Sequence, residues 1–272
     1  MLRLVLFLLL LPLALADPAH AERSEAERTA RWADLRHAIF GDRLVTEAEE
    51  AVAIDVPARA EDAAIVPVAI RVAEALAPDI VGLYLVIDDN PSPLAAHFLF
   101  GLLADKREIA TRVRIDDYTY LHAVAETTDG RLYSAARFIK AAGGCSAPAG
   151  KDQALALERL GKMKLTLADR STAGTPVAAK LLVSHPNYSG LQIDQLSRNY
   201  IPADFMQTLE VSYNGSSVFR LESDISISED PGFNFSFRPA DAGSPGVLTA
   251  DILDSNQLRF TQSWPVPAAP QM

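Results

Sequence analysis

Cysteine is almost missing from this chain: Cys145 is the only one among 272 residues. A single thiol excludes an internal disulfide and any cysteine-rich metal cluster, since both need several. Long apolar runs are also scarce. Beyond the first 15 residues no stretch reaches the ~18 consecutive apolar residues of a membrane span. No cluster of Lys and Arg occurs and the formal charge is −10, so binding to a nucleic-acid backbone is excluded. Neither G-x-x-x-x-G-K-[ST] nor a strand-linked G-x-G-x-x-G is present, so no phosphate loop is expected. His20, His37, His97, His122 and His185 are scattered, without H-x-H or H-E-x-x-H. Spacing therefore indicates neither a metal site nor a cofactor.

The chain begins with Arg3 and an apolar run from Leu4 to Leu15, succeeded by small residues. Ala14-Leu15-Ala16 and Ala19-His20-Ala21 both fit a signal-peptidase site, so cleavage after Ala16 or after Ala21 is open. The run is too short for a permanent anchor and predicts a signal peptide over residues 1–21 and export to the periplasm; an uncleaved anchor is the alternative. The remaining ~250 residues suit one large domain or two of ordinary size. Cleavage removes one cation, Arg3, and one anion, Asp17, and leaves the charge unchanged.

Residues 22–50 carry Trp32, Leu35, Ile39 and Phe40 at helical spacing and predict an amphipathic helix packed on the domain behind it. From 51 to 140 the pattern changes to short strands. Residues 51–56, 64–72, 82–88 and 118–124 are rich in β-branched and aromatic residues, with turn signals at Asp88–Pro93 and Thr128–Gly130. Residues 141–161 read as a linker ending in a short helix. A second strand series occupies 162–264, with candidates at 162–168, 177–184, 207–213, 217–221, 233–237, 246–253 and 258–264. Asn214-Gly215 between two of them predicts a tight hairpin, because both residues accept positive φ. The expected architecture is all-β: two β-sandwiches joined by a linker, with a disordered tail at 265–272.

Cys145 lies in that linker, within Lys140-Ala-Ala-Gly-Gly-Cys-Ser-Ala-Pro-Ala-Gly150, where no neighbour is bulky. A structural cysteine normally sits among large apolar side chains. Gly143, Gly144 and Ser146 instead predict a flexible arm that presents an exposed thiol, its thiolate favoured by Lys140 and Lys151. A Cys–His hydrolase, with Cys145 as nucleophile and His122 or His185 as base, is a competing reading, but such nucleophiles stand on rigid elements.

Val66–Val72, Val86–Ala96 and Gly143-Gly144-Cys145 resemble SoxY, the sulfur-carrying subunit of periplasmic sulfur oxidation. Val183-Ser-His-Pro186 with Ser189-Gly-Leu191, Ile201–Phe205, Tyr213-Asn-Gly215 and Asp230–Phe233 resemble its partner SoxZ. The chain looks like the fused SoxYZ-like carriers that accompany quinoprotein dehydrogenases. The resemblance implies immunoglobulin-like sandwiches, no enzymatic activity of its own, and Cys145 as covalent carrier of a sulfur-containing group. It also implies partner enzymes, among them a quinoprotein dehydrogenase or a c-type cytochrome, and a monomer whose two domains pair. The arm departs from the family's free Gly-Gly-Cys-Gly-Gly terminus, since here Ser146-Ala-Pro-Ala comes next and the chain continues. The alternative is a binding module that docks on such a dehydrogenase or cytochrome, with the cysteine incidental.

Overall fold

A computed structural model describes residues 23–148, 153–168, 175–239 and 244–269. The signal peptide expected over 1–21, and Lys151, lie outside these residues. The expected helix is α1, Glu25–Phe40. Ser24 caps it: its hydroxyl accepts from the Glu27 amide, and the Glu27 carboxylate accepts from the Ser24 amide. Leu35 and Phe40 are buried, and Trp32 stacks on His122 with ring centroids 3.6 Å apart.

The first half supplies strands β1 Val45–Glu47, β2 Val52–Asp55, β3 Val66–Val72, β4 Ile80–Ile87, β5 Leu94–Phe100, β6 Ala104–Val113, β7 Thr119–Thr127 and β8 Leu132–Ile139. A short helix, α2 Gln153–Arg159, leads into the second half. Its strands are β9 Met163–Leu167, β10 Val177–Val183, β11 Met206–Tyr213, β12 Ser216–Ser223, β13 Gly232–Phe237, β14 Gly246–Asp254 and β15 Arg259–Val266. Asn214 and Gly215 form the β11–β12 hairpin with φ of 48° and 79°. Strand β15 extends into the segment expected to be disordered: Val266 pairs with Gly246 and is fully buried.

The class is all-β, as expected, but the two halves are more closely joined than two sandwiches on a linker. Each half puts strands into both of two sheets. One sheet runs β1-β8-β7-β4-β5-β12-β11-β14-β15, the other β2-β3-β6-β13-β10-β9. The halves meet edge to edge in both, through the antiparallel pairs β5–β12 and β6–β13. One apolar core fills the space between the sheets across this seam, with Phe98 of the first half against Phe219 of the second at 6.1 Å between centroids. Both seam strands of the first half, β5 and β6, went unrecognised in the sequence. In β6 the run Asp105-Lys-Arg-Glu108 masks the alternation, because Arg107 and Glu108 point to solvent on the outer face.

Candidate functional site

Strand β8 ends at Ile139 and delivers the cysteine segment to the seam. There the segment is not an arm. The Gly143 amide donates to the Asp116 carbonyl at 2.8 Å and the Gly144 amide to the Ile115 carbonyl at 2.9 Å. On the other side, the loop between β10 and β11 closes over it. The Ser189 hydroxyl donates to the Cys145 carbonyl at 2.5 Å, and the Gln192 amide nitrogen to the Ala147 carbonyl at 2.9 Å. The segment is thus stitched to both halves at once.

The expected exposed thiol is therefore corrected: Cys145 has 0% of its surface accessible. The glycines serve close packing rather than mobility. A Cβ on Gly144 would stand 2.0 Å from the Ala63 carbonyl oxygen, and Gly143 has φ of 77°, which L side chains rarely adopt. Gly143 and Ser146 are exposed, and they flank a buried pair, Gly144 and Cys145.

Among the described residues, Lys140 is not one of the charges that act on the thiol. Those charges are Asp116 and Arg114, both from the connection after β6. Arg114 is 1% exposed, a cation almost wholly removed from water. Its Nη1 donates to the carbonyls of Asn187 at 2.5 Å and Ile227 at 2.8 Å, and its Nη2 reaches that of Pro186 at 3.3 Å. A first-half guanidinium thus binds three second-half carbonyls, which ties the halves together directly beside the thiol. No motif signalled this, since the partners are 72 to 113 residues away.

Burial pushes the Cys145 thiol up to about 12; Asp116 pushes the same way and Arg114 opposes it. At pH 7 the enclosed sulfur is therefore a thiol, whereas thiolate is the nucleophile. The enclosed sulfur is chemically quiet. A thiol whose folded value lies above its unfolded value near 9 contributes stability that is complete below pH 9 and lost as pH rises through 12. Cys145→Ala is expected to lose less stability than the parent across that window, by up to about 4 kcal/mol. Urea midpoints of the two proteins at pH 8 and pH 11 measure this, and parallel declines would refute the buried titration.

Among the described residues neither candidate base forms a hydrogen bond to the sulfur. His122 Nε2 contacts Asp88 Oδ2 at 3.2 Å under Trp32, and His185 Nδ1 accepts from the Asn187 amide at 3.1 Å. Among the described residues no helix is long and apolar enough to cross a membrane.

Family models divide the chain at this same seam. The model for Sulfur oxidation protein SoxY matches residues 36–145 and that for Sulphur oxidation protein SoxZ matches residues 163–265. The chain belongs with the Sox sulfur oxidation proteins, as a SoxY domain fused to a SoxZ domain. The SoxY match ends on Cys145 itself. Among solved structures, the sulfur carrier protein SoxY from Chlorobium limicola f thiosulfatophilum is 29% identical, covering 43% of this chain and 96% of that one, with a TM-score of 0.37. A search of curated proteins finds no match. Membership supports a sulfur-carrier role for the fusion. Both strand pairs of the seam, β5–β12 and β6–β13, join a SoxY strand to a SoxZ strand, and the SoxZ loop supplies Ser189 to Cys145 and Gln192 to Ala147, just past the end of the SoxY match.

Proposed function

We propose that the fusion is a periplasmic carrier that holds a sulfur-containing group on Cys145 and passes it between partner enzymes, without catalysing a reaction itself. The observation that carries this reading is the placement of the chain's one thiol at the SoxY–SoxZ seam, at the end of the SoxY match. The described conformation is the closed state of such a carrier. Loading needs the segment to leave its seat, which means breaking the Ser189 and Gln192 hydrogen bonds and those of Gly143 and Gly144.

Once in water, the thiol returns towards its ordinary acidity and exchanges at sulfur. In one such exchange, the Cys145 thiolate attacks the outer sulfur of a donor persulfide, R–S–SH. A sulfur–sulfur bond forms on Cys145, the donor's sulfur–sulfur bond breaks, and the proton ends on the departing R–SH. No electrons are gained or lost. A thiosulfonate-type adduct made by coupling two sulfurs releases two electrons instead, which suits a c-type cytochrome or a quinoprotein dehydrogenase as partner. Reclosing the seat would then shelter a labile adduct from water and from stray thiols.

The test is intact-mass analysis of protein purified from its own host without reductant. Adducts of sulfur or sulfonate type are expected, and they should be missing from Cys145→Ser. One unmodified mass under every growth condition would overturn the carrier reading.

The burial of Cys145 favours a second reading, a docking module with an incidental cysteine. The net charge of −10 would steer it towards a basic partner at low salt. Undiminished partner capture and normal growth of Cys145→Ser cells on the relevant substrate would favour the module.

A further inference from the structure

At one end of the SoxZ domain, three side chains far apart in sequence converge. His185 comes after β10, Asp204 precedes β11 and Asp254 ends β14. One ligand atom from each lies within 4.8 Å of the others. His185 Nε2 is 3.7 Å from Asp204 Oδ1 and 3.7 Å from Asp254 Oδ2, too long for hydrogen bonds. The side chains of His185 and Asp254 are 0% exposed and that of Asp204 is 15% exposed. Nε2, Asp204 Oδ1 and Asp254 Oδ2 are all buried without a hydrogen-bond partner. Native interiors rarely leave one such atom unsatisfied, and here three face one another.

We propose that His185, Asp204 and Asp254 bind a divalent transition-metal ion, with zinc as the representative. Separations of 3.7 Å to at most 4.8 Å put the point equidistant from the three atoms about 2.1–2.4 Å from each, a range whose lower part coincides with the usual zinc–nitrogen and zinc–carboxylate lengths. One imidazole with two carboxylates selects zinc and its neighbours over the oxygen-seeking calcium and magnesium. The two carboxylates, Asp254 buried and Asp204 half-buried, also bring negative charge that a divalent ion would offset.

The surroundings orient one of the carboxylates. Asp254 Oδ1 accepts from the amides of Asn256 and Leu258 at 2.9 and 2.8 Å, which turns Oδ2 inward. Without metal, His185 Nδ1 accepts from the Asn187 amide, so the single ring proton rests on Nε2. Metal binding moves that proton to Nδ1 and gives up the Asn187 hydrogen bond, a small loss beside a metal–nitrogen bond. His185 and Asp204 form the two ends of the loop whose Ser189 and Gln192 hold the cysteine segment. The ion would brace the base of that loop against the β14–β15 turn.

This inference is independent of the carrier reading, and its test leaves out the thiol. Tag-free Cys145→Ser protein, stripped with a chelator, is titrated with zinc chloride by calorimetry and melted with and without zinc. One equivalent should bind with a Kd in the micromolar range or below, and the melting midpoint should rise. In the same background Asp204→Asn and Asp254→Asn should each weaken binding at least 30-fold and abolish the rise. Should Asp254→Asn not fold, Asp204→Asn, at the more exposed position, decides alone. Absence of stoichiometric binding, or binding unchanged in a folded Asp204→Asn protein, overturns the site.

Discussion

Replacing Gly144 by alanine is expected to raise the rate at which a small thiol reagent labels Cys145 in the folded protein roughly ten- to a hundred-fold, the range that overpacking by 1–3 kcal/mol produces. The added Cβ would meet the Ala63 carbonyl oxygen at 2.0 Å and that of Ile115 at 2.6 Å. Both belong to backbone hydrogen-bonded across the seat, where the Ile115 amide donates to the same Ala63 carbonyl. Neither atom is the end of a flexible side chain, so the cysteine segment has to lift. Most of the fold should survive, because the core between the sheets is untouched. Gly143→Ala supplies the control: it meets nothing within 4 Å and carries only the strain of a positive φ, about 1 kcal/mol, so its effect should be smaller. Equal and slow labelling of the parent and Gly144→Ala, with both folded, would mean that the seat does not govern access.

The second large effect is expected at Arg114. Arg114→Met keeps an unbranched, space-filling chain but removes every donor. The carbonyls of Pro186, Asn187 and Ile227 then lose a charged partner, and the buried ones among them are not reached by water. Stability should fall by about 3 kcal/mol or more, since each buried acceptor left unsatisfied costs about 1–3 kcal/mol. Urea denaturation measures the loss. A change under about 1 kcal/mol would show that apolar packing alone holds the seam.

Much of the fold was legible because the signals were local. The run Val177–Val183 alternates inward and outward, as a half-buried strand must, and Asn214-Gly215 has the side-chain chemistry its hairpin needs. Recognition of the two domains likewise rested on ordered short motifs. The site itself was legible only in its position. Small residues around Cys145 have two physical meanings, a chain free to move or a chain that must pass close to another backbone, and composition does not separate them. The contact that separates them, Gly144 against Ala63, spans 81 residues. The same holds for Arg114, whose burial depends on carbonyls from the other domain, and for His185, Asp204 and Asp254, whose intervals match no ligand-spacing rule. Helix and strand patterns come from neighbours in sequence, whereas desolvation and convergence come from the folded seam.

That seam has a consequence for how the chain is made. During synthesis the SoxY domain is finished first, yet two of its strands, β5 and β6, are completed only when β12 and β13 arrive. Translation at about 5–20 residues per second puts on the order of ten seconds between the emergence of β5 and that of β12. For that interval the nascent protein carries two unpaired strand edges, each able to join a neighbouring chain. Covalent fusion supplies the correct partner strands from the same ribosome, one for every copy, before a wandering subunit has to be found.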